Sequence, residues 1–230
     1  MNSRCVTGRV AFVDTIVASV ASCEQDLADA RRTMRADHPD LLRIRGSLAR
    51  AHVDAGQPEA AVEHYAGLLD DLGRLHGPDH SEVLTVRNHL AMLYRQLRRY
   101  DDAAEQFTRL LADLRRLHGP AYPTTLATQR ALAVCHQRTG QLQEAVDLLE
   151  RTVADCRAEL GDDHPDTLTA RHDLGFAYRR VDRLDDAVAC FEAALAGRER
   201  VLGADHATTS ASREQLNAVR GRRWHLGDNA

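Results

Sequence analysis

The chain has 230 residues, a formal net charge of −4 and 4% aromatic residues, and each of its 30 basic residues is an arginine. A net negative charge gives no general attraction to nucleic acid, so no nucleic-acid partner is expected. Without lysine there is no phosphate-loop lysine, no Schiff-base amine and no pyridoxal attachment, which removes several catalytic classes.

The first segment with helical character has two readings. Residues 10–23, VAFVDTIVASVASC, follow Arg4 and Arg9 and resemble a bacterial lipoprotein signal acylated at Cys23, but Asp14 interrupts an already short apolar run. The rival reading places Ile16, Val20 and Leu27 on apolar positions that recur along the chain. It predicts a helix over 15–34, capped by Asp14, as the remnant of a truncated leading unit over residues 1–37. This second reading is the expectation carried forward, together with a cytoplasmic location and no membrane contact.

The units that follow are copies. His38, His80, Tyr122, His164 and His206 succeed one another at a constant interval of 42 residues. Gly77, Gly119, Gly161 and Gly203 keep the same interval, each at a place where a helix should end on a left-handed residue. Leu48, Leu90, Leu132 and Leu174 recur, as do Ala61, Ala103, Ala145 and Ala187, with Tyr65, Phe107, Leu149 and Phe191 four residues later. Small and large residues one turn apart let neighbouring helices nest. Four full units are expected at 38–79, 80–121, 122–163 and 164–205. Each is a helix A (about 40–55 in the first) and a helix B (about 58–75), with Pro39, Pro123 and Pro165 in the first turn of helix A. Residues 206–221 read as a capping helix with polar Ser210, Ser212 and Asn217, and 222–230 as a flexible basic tail carrying Trp224.

These residues carry a family resemblance. Each unit reads L-A/G-x-x-Y/H, a turn at Gly56 or Gly140, then A-x-x-x-aromatic/Leu, which resembles the tetratricopeptide repeat. The 42-residue period and the loop His164-Pro165-Asp166 look like the kinesin-light-chain type of that repeat. The resemblance covers about residues 14–220 and implies an all-α fold, a right-handed α-solenoid of helix-turn-helix repeats. Tyr122 departs from it at the loop histidine, and Arg98 and Asp182 at the turn glycine; the fold should survive all three.

The resemblance also implies that the A helices line a concave groove. Carried over, the groove residues are Arg43 and Arg50, then Asn88, His89, Arg95 and Gln96, then Arg130, Gln137 and Arg138, and finally His172, Arg179 and Arg180, with Asp54 and Asp173 as the only acids. Guanidinium forks bind carboxylates in bidentate fashion. The expectation is therefore a protein or peptide partner of acidic character, held by a monomer or weak dimer acting as scaffold or adaptor. The alternatives are a ligand-sensing regulator whose groove takes a small peptide or metabolite and, less favoured, an enzyme with an unrecognised groove site.

Three further recurrences read as structural. The histidines His76, His80, His118, His164 and His206 suggest a ladder of metal ligands, but equivalent atoms in adjacent repeats should lie about 10 Å apart, whereas ligands sit about 2 Å from zinc; no metal and no cofactor are expected. Cys5, Cys23, Cys135, Cys156 and Cys190 are odd in number and lack metal spacing, so all but Cys5, which has no such place in the repeat, read as small hydrophobes in a reducing compartment. Cys135 and His136, adjacent on a helix, point to different faces and are not a nucleophile and its base. Arg45, Arg87 and Arg171 each follow an acid by five residues (Asp40, Glu82, Asp166), while Thr124 is followed by Gln129. That covariation, which Arg213 with Thr208 breaks, predicts an ion pair tying the loop to helix A or to the neighbouring repeat.

Overall fold

The computed structural model describes residues 19–35 and 37–227, with side chains through residue 222. Among these, every regular element is an α-helix. They are α1 (19–33), α2 (Pro39–Asp54), α3 (Pro58–His76), α4 (Ser81–Gln96), α5 (Tyr100–His118), α6 (Pro123–Thr139), α7 (Leu142–Leu160), α8 (Pro165–Arg180), α9 (Leu184–Leu202) and α10 (Ala207–Gly227). The expected start of the first helix and its Asp14 cap lie outside the described residues, as do Ile16 and Cys5. Val20 and Leu27 are buried on α1 as the register requires, and Cys23 packs against the same cluster.

The recurring histidine has a local cause. In each case its ring Nδ1 accepts the backbone N–H two residues on: Asp40 to His38 at 3.2 Å, Glu82 to His80 at 3.4 Å, Asp166 to His164 at 3.2 Å and Thr208 to His206 at 3.2 Å. Each imidazole thus satisfies one of the orphan donors of a helix start, an effect of the order of 1 kcal/mol. Tyr122, at the same place before α6, makes no such bond. At the other ends Gly77, Gly161 and Gly203 have φ of 80, 89 and 88° but ψ of 170, 170 and 163°. That is not the left-handed helical cap expected from the sequence but the extended positive-φ region open almost only to glycine. The true left-handed turns lie inside the units, where Gly140 has φ 85° and ψ 2°, and Arg98 and Asp182 hold φ of 60 and 62°.

The chain divides into two compact units, Met1–Gln106 and Phe107–Ala230, with the boundary inside α5. In unit 1, Leu42, Ala49, Ala61, Tyr65, Leu68, Leu72, Val83 and Leu90 form one core cluster, and Val20, Leu27, Leu41 and Leu48 a second. In unit 2 the pairing of small with large becomes extreme. A Cβ on Gly175 of α8 would lie 2.9 Å from the Phe191 ring, and one on Gly197 of α9 would lie 2.3 Å from Leu168 Cδ2. Both glycines are there because a side chain of α8 or α9 occupies the space.

Two of the expected ion pairs, those of Arg45 and Arg171, are replaced by others. Arg45 pairs not with Asp40 but with Asp71 of α3, both side chains largely buried, and Arg171 pairs with Asp162 rather than Asp166. Residues five apart on a helix lie about 140° round its axis, so the proposed partners face apart. Asp40 and Asp166 instead lie 3.8 Å from the capping rings His38 and His164. Register explains Arg171's choice: the place of Asp71 is taken in α9 by Gly197. Gln129, at the arginine place in α6, is fully buried.

The last helix is locked to unit 2 by a buried charge. Arg198 of α9, 6% exposed, donates to Thr208 O at 3.0 Å and Ser212 Oγ at 2.6 Å. Ser212, one of the polar substitutions of the capping helix, is thus a buried acceptor. The helix also continues past residue 221 to Gly227, with Arg220 bound to Glu192 at 2.5 Å and Arg222 to Asp182 at 3.1 Å. The segment expected as a loose tail from 222 therefore begins as helix; the Trp224 side chain lies outside the described residues.

Candidate functional site

Each unit holds a cleft between two A helices, floored by the B helix between them. In unit 1 it measures about 660 Å³. Pro39, Asp40, Arg43, Gly46 and Arg50 of α2 form one wall. His80, Glu82, Thr85, Val86 and His89 at and within α4 form the other, with Tyr65, Leu68 and Leu72 of α3 beneath. Arg43 is exposed and 3.4 Å from Asp40; Arg50 is exposed and makes no ion pair among the described residues. The Tyr65 and His89 rings lie 5.4 Å apart. Burial first, and the Arg50 guanidinium second, hold His89 below the usual imidazole range, so it stays neutral. Burial likewise raises the Tyr65 phenol.

In unit 2 the cleft between α6 and α8, floored by Leu149 of α7, is about 270 Å³ and is lined by Arg130, Val134, Gln137, Asp173, Phe176, Arg179 and Arg180. Its arginines are occupied. Arg130 bridges to Asp173, Arg180 donates to the Gln137 carbonyl at 3.3 Å, and Arg179 donates to Gln215 Oε1 at 2.9 Å while lying 4.9 Å over the Phe176 ring. Burial outweighs the Arg130 attraction and raises the Asp173 carboxyl above its usual range.

Of the residues expected in the groove, Arg43, Arg50 and His89 come together in unit 1, and Arg130, Gln137, Arg179 and Arg180 in unit 2. Asn88 and Gln96 are exposed on α4, Arg95 is half-buried there, and Arg138 is exposed on α6; none of these four lines either cleft. His172 packs edge-on against Phe176 (5.0 Å) and Phe191 (5.3 Å), with Nδ1 3.3 Å from Ser212 Oγ. Burial, with Arg198 and Arg130 nearby, lowers its pKa to about 4. Reasoning from the sequence missed Gly46 and the Tyr65, Leu68 and Leu72 floor. The signal for Gly46 was present, because it stands in register with Arg130.

Among the described residues no cysteine lines either cleft. Cys135 and Cys156 are buried, and burial pushes the Cys156 and Cys190 thiols up to about 11. No helix among the described residues is long and apolar enough to cross a membrane.

A tetratricopeptide repeat profile matches residues 82–158 and 124–199, and a second profile of the same repeat matches 41–82. The chain belongs to the tetratricopeptide repeat family. Its architecture is the all-α solenoid of such repeats, of kinesin-light-chain type. Among solved structures it is similar to a Podosopora anserina protein of nearly identical TPR-like repeats, described as of kinesin light chain. The TM-score is 0.73 at 29% identity, over 81% of this chain and 89% of that one. BtubC (BKLC) from P. vanneervenii gives 0.65 at 21% identity over 89% and 82%. The apo form of RapI gives 0.71 at 11% identity over 89% of this chain and 55% of its own; these last two show likeness of fold alone. No curated protein matches. A TPR architecture is that of a protein-interaction scaffold or adaptor.

Proposed function

We propose that this TPR chain is a non-enzymatic adaptor whose unit 1 cleft holds an extended segment of a partner protein. An apolar side chain of the segment rests on Tyr65, Leu68 and Leu72, and a carboxylate meets Arg50 and Arg43. The observation that carries the reading is Arg50: an exposed guanidinium at the edge of an apolar floor, without a carboxylate of its own among the described residues. The exposed Asp40–Arg43 pair is worth under about 1 kcal/mol and yields readily to a ligand. A charge-assisted bond to a desolvated carboxylate contributes about 1.5–3 kcal/mol. Two of them over a buried apolar anchor support micromolar affinity, about −8 kcal/mol after association costs. Neutral His89 adds a hydrogen-bonding group for peptide backbone.

Selection of peptides from a random library on the immobilised full chain, followed by fluorescence polarisation, tests this. Enriched sequences should combine Asp or Glu with a large apolar residue. Their affinity should fall at least about tenfold, 1.4 kcal/mol, with Arg50→Glu and stay unchanged with Arg179→Glu. Enrichment without acidic residues, or loss with Arg179→Glu in place of Arg50→Glu, refutes it.

A further inference from the structure

The junction of α3 and α4 brings three metal-binding side chains to one place. His76 is the last residue of α3, His80 is the N-cap of α4 and Glu82 lies in the first turn of α4. One ligand atom from each lies within 4.8 Å of the other two, and the two imidazole rings are stacked at 4.3 Å. We propose that His76, His80 and Glu82 form a site for a divalent transition-metal ion of the zinc class.

The donor set points to that class. Two imidazoles and one carboxylate suit zinc, nickel or copper, whereas magnesium and calcium want oxygen alone. Around an ion with bonds of about 2 Å, tetrahedral donors stand roughly 3.3 Å apart, and small side-chain rotations bring 4.8 Å to that value. The ring stacking by itself is a packing feature of the repeat, because His118 and Tyr122 stack at 4.8 Å in unit 2. The coincidence of three donors is not. The same three places hold His118, Tyr122 and Thr124 one repeat on, and Leu160, His164 and Asp166 in the repeat after that. This junction therefore combines two histidines and an acid where those two offer fewer donors.

His80 has to change its role to bind. Its Nδ1 accepts the Glu82 N–H at 3.4 Å, the longest of the four histidine caps, all the others being 3.2 Å. A metal on Nδ1 displaces that N–H. A metal on Nε2 moves the imidazole proton to Nδ1, where it faces another donor. In either case loading opens the cap of α4. Since all three ligands lie in the wall of the unit 1 cleft, the remaining coordination positions are filled by water or by a donor of a bound segment. The site itself does not depend on the peptide reading, and the metal alone is its probe.

Titration of the full chain with Co²⁺, followed by displacement with Zn²⁺, tests the site. Expected are visible d–d bands without a thiolate charge-transfer transition, weakened at least about tenfold by His76→Ala, His80→Asn and Glu82→Gln, ligand losses no milder than the loss of an outer-shell partner. His80→Asn keeps a capping acceptor, so α4 still starts in place. His118→Ala should leave the titration unchanged. Equal affinity in the wild type and all three ligand variants, a thiolate transition, or no binding by the wild type overturns the assignment.

Discussion

The two clefts are cut from the same register and end up doing opposite things with their charge. Gly46, Arg50 and His89 of unit 1 stand where Arg130, Val134 and Asp173 stand in unit 2. In unit 2 a guanidinium grows from one wall and meets a carboxylate on the other, so the space shrinks to about 270 Å³. In unit 1 glycine leaves that space open, at about 660 Å³, and puts the arginine one turn further along without a partner. The number of arginines on a face therefore does not give the number left without an internal acceptor.

The comparison can be broken most forcefully by exchange. Gly46→Arg with His89→Asp should rebuild in unit 1 the bridge that fills unit 2. It should weaken any cleft ligand at least about a hundredfold, roughly 2.7 kcal/mol, with the melting temperature near native. An undiminished polarisation signal would place the ligand elsewhere.

A smaller contrast lies in the helix glycines. Gly197→Ala in unit 2 drives a methyl into Leu168 and should destabilise by about 1–3 kcal/mol. Gly73→Ala in unit 1 meets nothing within 4 Å and should stabilise by up to about 1 kcal/mol through helix propensity. Urea unfolding of both variants checks the pair, and equal signs would show the close approach to be absent in solution.

The smallest effect is a dependence on pH that is largest at His172 of unit 2. His172 has a folded pKa of about 4 against 6.5 unfolded. Its neutral form therefore contributes stability that is complete above about pH 6.5 and is lost as pH falls towards 4. Discounted for its partial exposure, the loss reaches about 1 kcal/mol by pH 5. His89 and His64 of unit 1 are shifted the same way. His172→Gln should flatten the acid limb of the melting curve by that amount, and an unchanged limb would assign it to other groups.

Much of the fold was readable from residues alone, because periodicity reports burial directly. Leu48, Leu90, Leu132 and Leu174 recur because they are buried, at 1, 3, 4 and 5% exposure, and a regular interval needs no knowledge of partners. What stayed hidden was pairing. Asp40 lies nearest to Arg45 in sequence, but the guanidinium finds Asp71 on the facing helix. Arg130 and Arg179 count as free positive charge in a string of letters, yet Asp173 and Gln215 take them up. The recurring histidine was visible as a pattern while its role depended on one ring nitrogen that no pattern specifies. Gly46 stands at a variable place, followed at the repeat interval by Asn88, Arg130 and His172, so its meaning appeared only once the opposite wall was known to carry His89.

The four capping histidines carry a spectroscopic consequence. An Nδ1 that receives a backbone N–H must keep its lone pair, so the proton of each neutral ring is fixed on Nε2 at His38, His80, His164 and His206 alike. Nitrogen-15 spectra of the imidazoles should accordingly show one tautomeric family drawn from sites spread along the whole chain. Zinc should pull a single member, His80, out of it.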